Sequence, residues 1–306
     1  MEERMLKNFE LLRCRVIDSL TVSNLKEIRE ELRSINGITA CVGVGGSNVV
    51  SDYASKILTK KNNALAFNKE PRDLLYEDIS KYQSILVCSY SGNNYGVEVS
   101  FRNNSNKYLL SSNKTNNADV RNIRYLNAIE KEKSFVSLAA TLIPMGILLN
   151  YYLDGSLDEI HDCLLQHEFE VDGDSVFEIM GGCDVSCASN FLESTMVESG
   201  IAIPVVHDKY SYCHGRSTLA YHNENSLIYF ERGKELDALL LKEASINYKK
   251  TIILKGRYTD PIIDDFYLTV KAMYLAKSLA EKKGMSLSKV NYSPVVKTLY
   301  KYKGTM

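Results

Sequence analysis

The sequence predicts an α/β protein: two doubly wound parallel-sheet domains, each covered by helices on both faces. Three observations predict it. Strand-like runs alternate with helical stretches, and the runs are continuously apolar, as in strands buried on both faces. Loops rich in glycine and serine follow those runs and open helices. Finally, Gly45-Gly46-Ser47-Asn48-Val49 lies 136 residues before Gly181-Gly182-Cys183-Asp184-Val185. Both stretches close a strand and open a helix, so the chain reads as two copies of one unit. Chance is the competing reading, because strand–Gly-Gly–helix is a common local solution.

The elements follow in order. Residues 1–35 read as a helical segment, with Met5, Phe9, Leu12, Val16 and Leu20 at helical spacing. The first domain is expected over 36–153. It opens with the strand Ile38–Val44 and a helix from Asn48 to Leu58. Strands follow at Ala64–Phe67, Ser84–Cys88 and Lys107–Leu110, with a helix over Tyr95–Phe101. Phe135–Leu153 is nearly free of charge for nineteen residues. Ser137, Thr141, Pro144, Gly146 and Asn150 interrupt it, so it reads as a buried central helix and not a membrane span. Asp154-Gly155-Ser156 is the expected linker to a second domain over 154–285. That half has strands at Ser175–Met180, Ala202–Val206, Ser226–Phe230 and Thr251–Leu254, with helices over Asp184–Glu198 and Asp265–Lys282. A tail covers 286–306.

Composition excludes several classes of function. The 306 residues are 45% hydrophobic and 25% charged, which excludes disorder as the main state. Lys and Arg total 37 against 38 for Asp and Glu, so no global field draws the protein to nucleic acid or an anionic membrane. Twenty tyrosines without a tryptophan read as compositional habit, not a stacking platform for bases. The seven cysteines form no CxxC pair, and the amino terminus reads as a charged helix, not a signal peptide. A reducing, cytoplasmic setting is expected. Cys183 and Cys187 lack a second ligand pair, so no metal is expected with His214. Gly43-Val44-Gly45-Gly46 departs from the dinucleotide fingerprint, because its sixth position is Asn48; no cofactor is expected.

An anion must then be held by a local device. Ser47 and the pair Ser89/Ser91 occupy loops at strand ends that open helices. Backbone N–H groups there attract anions, small hydroxyls add donors, and Gly46 and Gly92 let a ligand approach the backbone. Plain N-capping is the competing reading of each serine. In the second copy Cys183 replaces Ser47, and Phe230-Glu231-Arg232-Gly233 stands near the place of Ser89-Tyr90-Ser91-Gly92. One anion site, in the first half, is the expectation.

These residues resemble a family. Over about 36–300 the chain is similar to double sugar-isomerase-domain (SIS) proteins. That family includes the isomerase half of glucosamine-6-phosphate synthase and the fructosamine-6-phosphate deglycases. Gly45-Gly46-Ser47 resembles the family's Gly-Thr-Ser turn. Ser89-Tyr90-Ser91-Gly92-Asn93-Asn94 resembles its Ser-x-Ser-Gly-x-Thr phosphate loop, with Asn94 in place of the last Thr. Glu132–Thr141 is similar to the start of the helix closing the first domain, with Ser137 as the contact there. Leu192–Glu198 resembles the helix that ends in the catalytic Glu, and Cys213-His214-Gly215-Arg216 resembles a His-Gly-Pro segment. His214 follows Glu198 by sixteen residues, the family's separation, and Arg216 stands where Pro is usual. Pro294–Tyr300 looks like a tail that returns over the site, with Lys297 approaching the substrate.

The resemblance implies a phosphosugar aldose–ketose isomerase or deglycase, with a sugar or amino-sugar phosphate as ligand. Its first domain would bind phosphate through Gly46, Ser47, Ser89, Tyr90, Ser91 and Asn94. Its second would supply Glu198 as the proton-transfer base and His214 for ring opening. In relatives this His comes from the neighbouring subunit, so a homodimer with a shared active site is implied. Glu198 lies in a mostly uncharged stretch, which predicts desolvation. Arg216 suits a bidentate anion clamp or an ion pair, and Lys297 an imine or charge neutralisation. His161, His167, His207 and His222 carry no such support. With no glutaminase segment ahead of residue 1, a full synthase is not expected. A non-catalytic sugar-phosphate sensor, or an enzyme for another anionic substrate, are the alternatives.

Overall fold

The computed structural model describes residues 3–92, 95–102, 106–289 and 295. The amino-terminal segment is three helices, not one: α1 (Glu3–Glu10), α2 (Leu12–Val22) and α3 (Leu25–Arg33). The break before α3 has a local cause. The Asn24 side chain accepts the Glu27 N–H and caps the new helix. The expected apolar stripe from Met5 to Leu20 is buried throughout.

The first half then runs β1 (Ile38–Val42), α4 (Gly46–Asn62), β2 (Leu65–Lys69), β3 (Ser84–Cys88), α5 (Tyr95–Ser100), β4 (Asn106–Ser111), β5 (Val120–Arg124) and α6 (Ala139–Tyr152). Its strands form one parallel sheet in the order β2-β1-β3-β4-β5. β5 was not expected. Its sequence, VRNIR, has only Val120 and Ile123 apolar, one buried on each face, so it lacks the continuous apolar run of a central strand. α6 is shorter than the apolar run that predicts it. Phe135 and Val136 instead donate their N–H groups to the carbonyls of Ser288 and Leu287. No helix among the described residues is long and apolar enough to cross a membrane.

The second half runs α7 (Asp158–Cys163), β6 (Val176–Gly181), α8 (Ser186–Ser199), β7 (Ile203–Asp208), α9 (Thr218–His222), β8 (Ser226–Glu231), α10 (Glu235–Asn247), β9 (Lys250–Lys255) and α11 (Pro261–Lys282). The sheet is again parallel, in the order β7-β6-β8-β9. This is the first sheet's order without its last strand. α8 starts later than the sequence suggests, after a tight turn over Cys183–Val185.

Side chains alternate between the two faces of each sheet. Cys41, Leu86, Cys88, Phe177, Ile179, Ile228 and Phe230 face one cluster of buried residues that runs through both halves. Ala40, Val42, Ile85 and Val87 face a smaller cluster beneath α5. Met180, Leu227 and Tyr229 face another beneath α9 and α10.

The two halves join through α4, α8 and α11. Lys56 Nζ lies 2.5 Å from the fully buried Asp265. The same carboxylate accepts the Cys187 N–H at 3.3 Å and the Ala188 N–H at 3.1 Å, capping α8. Asp52 receives the hydroxyl of Ser186 and the thiol of Cys187. Burial alone would lower the Lys56 ammonium, but facing Asp265, Cys187 and Asp52 outweigh burial and raise it. The middle of α4 thus meets the start of α8, and the two helices run antiparallel.

Asp265→Ala leaves the Lys56 ammonium with only the more distant Asp52 carboxylate, at 3.8 Å, and removes the α8 cap. It should lower unfolding free energy by about 3–5 kcal/mol, read from urea midpoints. Adding Lys56→Met should recover part of that loss, because the poorly matched charge goes with it.

Candidate functional site

In the first sheet the chain leaves β1 towards β2 on one side, while β3 continues to β4 on the other. Ligand crevices form where strand order reverses in this way. The loop after β1 turns through Gly45 at a φ of +57° and opens α4, seventeen residues long, at Gly46. Ser47 sits half-buried in the first turn.

The loop after β3 is braced from below. Buried Ser89 Oγ accepts the Gly92 N–H at 3.2 Å. Ser111 and Ser112 donate their hydroxyls to the Tyr90 carbonyl at 3.1 and 2.9 Å, and Asn113 Nδ2 donates to the Ser91 carbonyl at 3.1 Å. Ser91 is exposed at the rim. The Tyr90 ring does not face the crevice alone, because Lys131 Nζ lies 4.4 Å from its centroid. Burial, then the charge of Glu132, push its phenol up. The Tyr90 carbonyl is the point through which Ser111 and Ser112 brace the loop. The bracing trio 111–113 was legible only as a polar run after a strand.

The third wall is the start of α6. A Cβ at position 46 would lie 3.0 Å from Thr141 Oγ1 and 3.3 Å from Ser137 Cβ, so a larger residue would press on both. Ser137 is therefore at the mouth of α4. Thr141, one helical turn on, accompanies it and was missed; its signal was the i, i+4 spacing. Buried Glu132 holds this helix start. Its carboxylate accepts the N–H groups of Leu138, Ala139 and Ala140 at 2.8, 2.9 and 3.1 Å. Burial pushes its carboxyl up, against those three hydrogen bonds.

Glu198 arrives from the second half. Because α8 runs antiparallel to α4, its last turn reaches the first turn of α4. Glu198 Oε1 lies 3.8 Å from the position of a Cβ on Gly45 and accepts the Ser194 hydroxyl at 2.8 Å. The expected desolvation is corrected here: Glu198 is exposed. Its neighbour Glu193 has its carboxyl pushed up by burial and then by the charge of Glu198. The uncharged stretch around position 198 misled because Thr195 and Met196 face the core while Glu198, on the same last turn of α8, faces outwards.

His214 is not beside Glu198. It is exposed on the turn Tyr212–Arg216, after the carboxyl end of β7. Glu198 precedes the amino end of the same strand. Six residues of strand, about 20 Å, stand between them. Arg216 Nη1 lies 3.4 Å from the Val206 carbonyl and from His207 Nδ1. Asn94 and Lys297 lie outside the described residues. The chain nevertheless returns to the site before position 290. Ser288 Oγ accepts from Asn8 Nδ2 at 3.2 Å, and 287–288 pair with 135–136, two residues before Ser137.

The equivalent crevice of the second sheet is filled by the chain itself. Asp237 accepts from Lys209 at 2.6 Å, the Tyr229 hydroxyl at 2.7 Å, and the Arg232 and Lys234 N–H groups at 2.7 and 3.0 Å. Lys234 pairs with Asp184 at 2.6 Å, and Arg232 with Asp264 at 2.8 Å. Cys183 is exposed there, whereas Cys187 is buried in the seam between the halves; all seven cysteines are free. Among the described residues, no group of three or more His, Cys, Asp or Glu side chains is placed to hold a metal ion.

Two parallel sheets that share one helical core, with hydroxyls and helix starts at one switch point, define the class of fold. Solved structures share it over nearly their whole length. One is tagatose-6-phosphate ketose/aldose isomerase from Escherichia coli, with a TM-score of 0.74 and 14% identity over 95% of this chain and 96% of that one. Another is glucosamine-6-phosphate deaminase from Thermotoga maritima, with a TM-score of 0.72 and 14% identity over 95% and 98%. A third is the C-terminal domain of glucosamine-fructose-6-phosphate aminotransferase from Francisella tularensis, with a TM-score of 0.71 and 12% identity over 94% and 98%. At this identity the likeness carries the fold. No protein-family model and no curated protein matches the sequence.

The filled crevice yields a pH prediction. Burial alone would raise the Asp237 carboxyl, but its four donors outweigh burial and hold it at about 2. The folded value lies below the unfolded one of about 3.9, so this stability is complete above pH ~4 and lost as pH falls through ~2. Asp237→Asn should lose about 2 kcal/mol near neutrality and flatten the acid limb of the unfolding curve between those limits.

Proposed function

We propose that the chain is a phosphosugar aldose–ketose isomerase or deglycase, acting on a sugar 6-phosphate or its amino conjugate. One observation supports this above the others: a carboxylate from the second half stands at the mouth of the first half's hydroxyl-lined helix start. The phosphate would rest on the α4 start at Gly46 and Ser47, and on the loop Ser89–Asn94. Ser137 and Thr141 would close the third side and meet the sugar. Tyr90 would hold the loop's shape from behind.

Moving a carbonyl between adjacent carbons needs a base that takes a proton from one and returns it to the other. Glu198 would perform that transfer. Its exposure in the single chain suits a group that a bound sugar desolvates. Ring opening needs a second group that exchanges protons near neutrality, the task assigned to His214. With a strand's length between them, one chain cannot place both on one sugar. A homodimer would let His214 of one protomer meet Glu198 of the other, in an isologous pair of shared sites. Residues 36–153 would then be the phosphate-binding domain, and 154–285 the domain supplying both proton-transfer groups. Lys297, on the tail 286–306, would approach the sugar as the tail leaves 287–288 beside Ser137. Arg216 would face a second anionic group.

Two measurements test this. In D2O, with a panel of aldose, ketose, amino-sugar and fructosamine 6-phosphates, one substrate should gain deuterium on its carbon skeleton. Glu198→Gln should lower that uptake by about 10²–10⁴-fold. Thermal stabilisation by a sugar phosphate without uptake would replace the enzyme with a sensor. Secondly, Glu198→Gln and His214→Asn proteins, each inactive, should regain about a quarter of native turnover when mixed and allowed to exchange subunits. No recovery, with exchange verified, would refute the shared site.

A further inference from the structure

The turn carrying His214 is short and irregular, closed locally by the His214 N–H to Ser211 and Ser217 N–H to Tyr212 backbone bonds and by Asp208 at its start. His214 (φ −87°, ψ +46°) and Gly215 (φ +90°) are non-helical, and the turn stands exposed beyond an edge strand. Its two ends, however, are tied to one buried group. At the first end, buried Tyr212 places its hydroxyl 2.9 Å from that of Tyr248, and Tyr248 donates to Glu178 Oε2 at 2.7 Å. At the other end, Arg216 Nη1 lies 3.4 Å from His207 Nδ1, and His207 Nε2 lies 2.8 Å from the same Glu178 Oε2. Asn225 Nδ2 completes the set at 3.0 Å from Oε1.

The direction of every bond follows from chemistry. A guanidinium only donates, so His207 Nδ1 accepts and its proton sits on Nε2, aimed at Glu178. Tyr248 spends its proton on the carboxylate, so Tyr212 donates to Tyr248. Two chains of donors, one from each end of the turn, therefore converge on a carboxylate with no solvent exposure. Burial would raise the Glu178 carboxyl, but the His207, Asn225 and Tyr248 donors outweigh it and hold it below the usual range. Both chains end on Oε2, so a glutamine at 178 could accept both only with its oxygen there, as a weaker neutral acceptor and with its own N–H groups facing the Asn225 donor.

We propose that Glu178 is a positioning residue for His214: its carboxylate orders the turn Tyr212–Arg216 through Tyr248 and Tyr212 on one side and His207 and Arg216 on the other. The proposal rests on the reading of His214 as the ring-opening group, although the ordering itself can be tested without it. It also assigns His207 a task as relay, bridging Glu178 through Nε2 and Arg216 through Nδ1.

The test uses the full chain. In Glu178→Gln, the His214 and Gly215 amides should show increased motion by NMR relaxation, while amides of β6 and α8 do not. Turnover of the ring-closed sugar phosphate should fall about tenfold or more, with KM within about twofold. Tyr248→Phe removes one chain and keeps the carboxylate, so it should show an intermediate version of both effects even if Glu178→Gln fails to fold. His214→Asn separates the two readings. If it lowers turnover while Tyr248→Phe changes neither turn motion nor kcat, the positioning role of Glu178 is overturned. If His214→Asn leaves turnover intact, ring opening by His214 falls, and the turn's motion alone decides whether Glu178 orders it. Equal losses in kcat, folding yield and all amides together would reduce Glu178 to a core residue and overturn the proposal.

Discussion

The buried pair of Lys56 and Asp265 sets the register on which the site depends. Asp265 comes from α11, Lys56 from α4, and the same carboxylate caps α8. Three helices from two halves are thereby fixed at one point. α4 carries the loop after β1 at its start, and α8 carries Glu198 at its end. Only antiparallel packing in this register lays one against the other. A slip of one helical turn, about 5.4 Å, would carry Glu198 off the crevice. Polar contacts suit such a seam, because apolar packing tolerates sliding while a capped helix start with a facing ammonium does not.

The two copies of the sheet have diverged in what fills their strand ends. The first crevice is lined with hydroxyls, helix starts and glycine, and the carboxylate of Glu198 reaches its mouth from the other half. The second holds Asp184, Asp237 and Asp264, each matched by Lys or Arg from the same half. Carboxylates that occupy backbone N–H groups leave no room for an incoming anion. A repeat fold thus yields one open crevice, and its closed counterpart contributes stability instead.

Strand and helix order was legible because buried parallel strands are continuous apolar runs. SILVC and SLIYF announce themselves. VRNIR does not, since an edge strand keeps half its side chains polar. The serines at 47, 89 and 91 were legible from loop position, and Ser137 from the resemblance. Thr141 and the bracing residues 111–113 were not, because their relevance depends on which backbone passes nearby. Glu178 reads as one acid in an apolar strand, and His207 as a histidine without support. Their joint meaning arises only when parallel pairing sets β6 beside β7 and brings Tyr248 over both.

The sixteen residues from Glu198 to His214 show how sequence separation misleads about space. A gap that short suggests neighbours. Here it contains a turn, an entire strand and a second turn, so its ends point in opposite directions along the sheet. Sixteen residues of helix would already span about 24 Å, and here the six-residue strand alone accounts for about 20 Å. If both residues act on one sugar, the partner must be a second copy, and a twofold axis must bring each His214 turn over the other chain's α8 end. Such an arrangement places an exposed, irregular turn at the centre of an interface, where its shape has to be fixed before the partner arrives. A buried carboxylate gathering hydrogen bonds from both ends of that turn is a means of fixing it in the lone protomer.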